Sequence, residues 1–170
     1  MATSREGGDV HPDTAAWCRY YLDRGMRVIP VPNGQKGPAI PGWPDLRIQT
    51  DDIPAYFEPG DNVGILLGAP SGGLVDVDID DDWALDLAGL MLPPTGLRHG
   101  RECRLGSHLW YRVEEDIPTR RFSLPDGTVI VEVRGRRSQS LVPPSVHPTG
   151  DQYVWEGTGA AARVSPALLY

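Results

Sequence analysis

Asp76, Asp78 and Asp80 recur at every second position of an apolar run, Leu74-Val75-Asp76-Val77-Asp78-Ile79-Asp80. Alternate residues of a strand share a face, so the three acids line one side while Leu74, Val75, Val77 and Ile79 pack. Glu132 sits alone among aliphatics in Val129-Ile130-Val131-Glu132-Val133-Arg134, and His108 opens the run Gly106-Ser107-His108-Leu109-Trp110-Tyr111-Arg112. A buried carboxylate without a partner is costly, so acids set in apolar strands call for a cation or for donors. Three carboxylates on two strands suit Mg²⁺ or Mn²⁺, which take oxygen ligands. For the Asp-x-Asp pair alone, a solvated face of a half-exposed strand explains the alternation equally well. His108 and Glu132 on two further strands favour a site.

Positioning those strands requires a framework that the rest of the sequence describes. Residues 1–12 are polar, Gly-containing and read as a disordered N-terminus. Asp13 is placed to cap a helix over Thr14–Arg24 that stops at Gly25, with Trp17, Tyr20, Tyr21 and Met26 as its packed side. A strand over Arg27–Val31, a Gly/Pro loop over 33–43, a short helix from Thr50 to Phe57 and a strand over Val63–Leu67 lead into the acidic run. Asp81 or Asp82 caps a helix reaching Met91, which Pro93 and Pro94 end. Thereafter the period is two, with strands expected near 95–99, 107–113, 128–134, 139–143 and 152–155, and a last helix beginning at Ser165-Pro166. Helix and strand first, then a strand-rich half, predicts an α+β fold with a mostly antiparallel central sheet.

Length and composition narrow the classes. The chain of 170 residues fits one domain with its own core, over 13–170, read here as cut from a longer protein. Cys18 and Cys103 lack a paired spacing, which leaves no zinc signature beside His99 and His108. No apolar run approaches a membrane span and no signal peptide is visible, so the expected setting is cytoplasmic. The net charge of −7 argues against simple coating of nucleic acid, yet it is uneven. Residues 1–97 hold six basic and fifteen acidic side chains, whereas 98–137 hold nine arginines and six acids. Arginine forks match phosphate oxygens, so Arg98, Arg101, Arg104, Arg136 and Arg137 are candidates for a nucleic-acid backbone, with solvated surface charge as the alternative.

In order along the chain, these pieces resemble the N-terminal bifunctional DNA primase/polymerase (prim-pol) domains of the archaeo-eukaryotic primase superfamily. The resemblance runs over about 14–156: the strand ending in Pro32, Lys36-Gly37-Pro38 with Trp43, Asn62-Val63-Gly64-Ile65, Ser71–Leu74, Asp76 and Asp78, Gly106-Ser107-His108, Glu132 with Arg134-Gly135, Pro143–His147, and Tyr153-Val154-Trp155. It departs in showing Glu132 where the family more often has Asp, and in an Arg-rich stretch before His108.

The resemblance implies a primase-like fold with an RRM-like catalytic half, and template-directed nucleotidyl transfer by a two-metal mechanism in plasmid, phage or prophage replication. It implies Asp76, Asp78 and Glu132 as ligands of two Mg²⁺ or Mn²⁺ ions, and His108 as a donor to the incoming triphosphate. Ser107, Arg134, Lys36 and Arg112 become nucleotide contacts; Ser145 and His147 become contacts or parts of a local turn. Partners would be single-stranded or primed DNA, dNTPs or NTPs, and a helicase or helical domain in the same full-length protein. Two other readings compete: an Asp-x-Asp glycosyltransferase, which leaves His108 and Glu132 unexplained, and a non-catalytic nucleotide- or nucleic-acid-binding module.

Overall fold

A computed structural model describes residues 13–170; the expectation for residues 1–12 lies outside them. Helix α1 (Thr14–Asp23) starts where Asp13 accepts from the amides of Ala15 and Ala16, at 3.1 and 3.2 Å, and gives way to Gly25 in the left-handed region. Thr14, Cys18 and Tyr21 form its buried face. Trp17 and Tyr20 are half-buried against the same cluster.

The helix covers a three-stranded antiparallel sheet of β1 (Arg27–Val31), β2 (Asn62–Leu66) and β8 (Gln139–Val142), in the order β1-β2-β8. Between β1 and β2, the expected short helix forms as a 3₁₀ turn, Thr50–Asp52, running into α2 (Ile53–Tyr56). The larger sheet contains β3 (Leu74–Ile79), β4 (Leu97–Arg101), β5 (Arg104–Arg112), β6 (Arg120–Ser123), β7 (Val129–Arg134) and β9 (Tyr153–Thr158), in the order β6-β7-β3-β5-β4-β9. All those neighbours are antiparallel; β10 (Ala162–Arg163) joins β5 in parallel at Tyr111 and Arg112. The α+β, mostly antiparallel expectation therefore holds.

Neither β6 nor β10 was expected. Arg120-Arg121-Phe122-Ser123 offers one half-buried side chain, the charged sequence of an edge strand, and two residues are too few for a periodic signal. The expected final helix is a 3₁₀ turn, Pro166–Leu168.

Strand β3 lies inside the large sheet, and all six of its residues are buried. Val75, Val77 and Ile79 pack with Tyr111, Val133 and helix α3 (Asp82–Met91), whose N-cap is Asp81. Leu74 turns the other way, into the core that Trp110 and Leu97 share with α1 and the small sheet. Covered on both sides, β3 has no solvated face, which removes the half-exposed reading of its acids. Among the described residues no helix is long and apolar enough to cross a membrane.

Candidate active site

Register sets the site. Asp78 is the Cα partner of His108 on β5 and of Glu132 on β7, so three functional side chains stand side by side. The same row continues to Arg121 on β6, to His99 on β4 and to Trp155 on β9. One step along β3, Asp76 pairs with Trp110 and Arg134. Cross-strand partners project from one face with Cβ atoms about 5 Å apart, and strand β8 of the small sheet packs over these rows.

Asp76 is fully buried. Its Oδ2 accepts from His108 Nδ1 at 2.9 Å and from Ser140 Oγ on β8 at 2.5 Å. Its Oδ1 has no hydrogen-bond partner among the described residues. Burial alone would raise its carboxyl, but the charge and hydrogen bond of His108, with Arg134, outweigh that and hold it below the ordinary range. Burial would lower His108, yet the charges of Asp76 and Asp78 outweigh it and raise the imidazole above its ordinary value, which favours the charged ring against the Asp76 carboxylate.

Asp78 lies 3.5 Å from His108 Nε2 and 2.5 Å from Arg134 Nη2. Burial, helped by Asp76 and Asp80, raises its carboxyl despite those cations. Arg134 Nε reaches Glu132 Oε2 at 2.7 Å, and Arg121 Nε reaches Glu132 Oε1 at 2.7 Å. Against the upward pull of burial, these two guanidinium groups hold Glu132 low.

His99 received no role from sequence, yet it backs the site. It is fully buried, with its ring stacked on His108, centroids 4.3 Å apart. Trp110 Nε1 donates to His99 Nδ1 at 2.8 Å, and His99 Nε2 lies 2.8 Å from the Leu141 carbonyl. An indole N–H can only donate and a carbonyl can only accept, so Nδ1 carries the lone pair and Nε2 the proton. Burial and the neighbouring His108 charge keep His99 neutral. No sequence signal placed it: in the β4–β5 hairpin Arg101 pairs with Arg104, and the bulge between His99 and Arg101 then sets residue 99 opposite 108. Ser140 and Arg121 carried none either, because their positions depend on how β8 and β6 dock.

A cleft of about 600 Å³ opens over Asp78, His108 and Glu132. Lys36, Ser107, Arg134 and His147 line it, together with Arg101, Arg104 and Arg137. Trp43 and Tyr153 complete the wall. Asp76 lies behind it.

Four expected contacts do not reach the cleft. Arg112 sits at the far end of β5, where its Nη1 donates to the carbonyls of Ser71 and Gly72 at 2.6 and 2.8 Å. Ser145 is buried under β2, accepting from Val63 N at 2.9 Å and donating to Val63 O, so it serves the local turn. Arg98 pairs with Leu109 one position off the His99–His108 row, and strand alternation sends it to the opposite face. Arg136 is exposed outside the cleft wall.

Carboxylate oxygens are the donors that Mg²⁺ and Mn²⁺ take, and the orphaned Asp76 Oδ1 is an anionic acceptor in want of a cation. The donor chemistry therefore fits a divalent ion. Among the described residues no three side chains yet converge as ligands of one ion, because Arg134 and His108 stand between the carboxylates as counter-cations.

The family model described as bifunctional DNA primase/polymerase, N-terminal, matches residues 18–168. No curated protein matches the chain.

Proposed function

The chain belongs to the bifunctional DNA primase/polymerase N-terminal family, and from that premise we propose that its cleft carries out template-directed nucleotidyl transfer. The observation that carries this reading is the row His108–Asp78–Glu132 across three adjacent strands, with Asp76 and its unpartnered oxygen immediately behind. The reading of an RRM-like half draws support from the strand order β7-β3-β5-β4 with α3 after β3, and departs from it in having β6 where a second helix would stand. On this reading residues 13–170 act as one catalytic domain in plasmid, phage or prophage replication.

Asp78 and Glu132, with Asp76, would hold the divalent ions. Two bound ions would supply charge neutralisation at the attacking 3′-oxygen and the departing pyrophosphate. His108, charged through its pairing with Asp76, offers Nε2–H towards the triphosphate, while the stacked and neutral His99 fixes its ring plane. Lys36 and Arg101 on the cleft wall give further cations to the phosphates. Arg134 plays a separate part: it neutralises Asp78 and Glu132 in the ion-free protein, which keeps like charges on neighbouring strands compatible with folding.

The test is extension of a labelled primer on a DNA template with Mg²⁺ or Mn²⁺ and dNTPs or NTPs. Asp78→Asn should lower the rate by at least a hundredfold while circular dichroism and the melting temperature stay near wild type. Extension within threefold of wild type would refute the assignment. The non-catalytic reading rests on the arginines already clasping Glu132; it requires that wild-type protein bind nucleotide yet never extend a primer.

A further inference from the structure

A cavity of about 430 Å³ opens on the α1 side of the molecule and shares no lining residue with the catalytic cleft. That volume lies within the roughly 300–1,000 Å³ of small-ligand sites. Three arginines line it: Arg24 from the C-cap of α1, Arg112 from the end of β5 and Arg163 from β10. Arg112 and Arg163 are register partners in a parallel pair, so their side chains leave the sheet on one side. Tyr20 and Trp155 supply aromatic surface, with the fully buried Tyr21 behind them.

The charge of this cavity is unlike that of the cleft. Every arginine lining the cleft is paired with a carboxylate: Arg101 with Asp151, Arg104 with Asp82, Arg121 with Glu132, Arg134 with Asp78 and Glu132, Arg137 with Asp45. Arg24, Arg112 and Arg163 form no ion pair among the described residues. Burial and the like charge of Arg163 both weigh on the Arg112 guanidinium, which is nonetheless held by the Ser71 and Gly72 carbonyls. A chain of net charge −7 has carboxylates to spare, so three unpaired guanidinium groups around one concavity mark a place for an anion from outside. Arg24 already lies over the Tyr20 ring, 3.5 Å from its centroid, and its Nη1 donates to the Tyr20 carbonyl at 3.2 Å, which leaves Nε and Nη2 for an incoming anion.

We propose that this cavity is a second binding site, separate from the cleft, for a nucleotide unit: a phosphate held by the arginines and a base resting on the aromatic wall. Arginine forks recognise phosphate, and base–aromatic stacking is tolerant of sequence. The unit comes either from a free mononucleotide or from one residue of a single strand. Trp155 lines this cavity and its ring centre lies 5.0 Å from that of His99. An occupant would therefore rest on the indole that packs against the histidine stack.

The assignment stands on the cavity's own residues, and its test needs no catalysis. In chelator, wild-type protein is titrated separately with dAMP and with a short oligothymidylate; affinity comes from calorimetry and location from the amide shifts of Gly159, Ala160 and Ala161. The double variant Arg24→Glu/Arg163→Glu should lose at least tenfold in affinity for one or both probes. Its log–log salt slope for the oligonucleotide should fall by about 1.4, two contacts at roughly 0.7 each. Arg24→Lys/Arg163→Lys should recover most of the binding, and the matched reversal Arg19→Glu/Arg47→Glu, on exposed residues outside the cavity, should change it less than twofold. Loss towards dAMP assigns the site to a mononucleotide, and loss towards the oligonucleotide alone assigns it to a strand. Unchanged affinity for both probes, or an equal loss in the control pair, overturns the proposal, whatever primer extension shows.

Discussion

Asp76 and His108 form the innermost contact of the cleft, and its protonation has a definite sign. His108 is raised above its ordinary value of 6.5. The stability from its pairing is therefore complete below the unfolded pKa and fades as pH climbs through the folded one. Asp76 is held below its ordinary 3.8, so its share is present above that value and disappears as pH falls through its own folded pKa. In ion-free protein, wild type should lose urea resistance on the alkaline side of about pH 6.5, and His108→Gln should show a flatter profile between pH 6 and 9. Parallel profiles would mean that the pair contributes nothing to stability. The four residues Asp76, Asp78, His108 and Glu132 were legible because acids and a histidine are conspicuous in apolar strands. His99 was not. Its role comes from a hydrogen bond to Trp110 on the adjacent strand, a stacking contact across the hairpin and a carbonyl from the other sheet. No single segment carries that information.

Strand β3 brings two of the acids, and the turn before it decides where they stand. Gly73 has φ of +75°, and a Cβ there would lie 2.0 Å from the Val113 carbonyl oxygen. That carbonyl belongs to the chain leaving β5, and Val113 N donates to Gly73 O at 2.9 Å, so the two backbones are locked at the entry to β3. Gly34 has nearly the same φ, +71°, but nothing within 4 Å of its virtual Cβ. Gly34→Ala should thus cost only the left-handed strain, about 1 kcal/mol. Gly73→Ala adds a clash that backbone movement must relieve, and should lower the melting temperature by at least twice as much while moving Asp76 and Asp78 off register. Equal shifts in thermal melts would place the whole effect in φ. Elements with a strong period or cap, such as α1 behind Asp13 and α3 behind Asp81, could be read from sequence nearly to the residue. Arg98 and Arg112 could not be placed. Arg98 lies one residue off the His99–His108 row, and Arg112 is tied to the Ser71 and Gly72 carbonyls; both depend on how neighbouring segments pair.

Charge ties the two halves of the molecule together. Several arginines of 98–137, candidates for phosphate, instead meet acids: Arg134 meets Asp78 and Glu132 inside the site, while Arg104 meets Asp82 and Arg137 meets Asp45 at the surface. The uneven distribution seen in sequence is thus partly offset by pairs between the acidic first half and the basic second, at Asp45, Asp78 and Asp82. One anionic oxygen stays outside this balance, the buried Asp76 Oδ1, on the strand face that also carries Asp78, the register partner of Glu132. The partners of those two carboxylates are His108, Arg134 and Arg121. A divalent ion entering there would compensate that oxygen in the native state, whereas the unfolded chain offers no such cluster. Linkage then requires stabilisation, about 2.7 kcal/mol when free ion stands at a hundredfold its Kd. For a chain of this length that amounts to a rise of roughly 5–10 °C in melting temperature. Mn²⁺ should produce it in wild type, and Asp78→Asn/Glu132→Gln should abolish it. Potassium chloride at equal ionic strength separates binding from mere screening of the net charge. If the double variant gains as much from Mn²⁺ as wild type does, the ion acts on the surface at large, and these carboxylates serve only to pair the arginines.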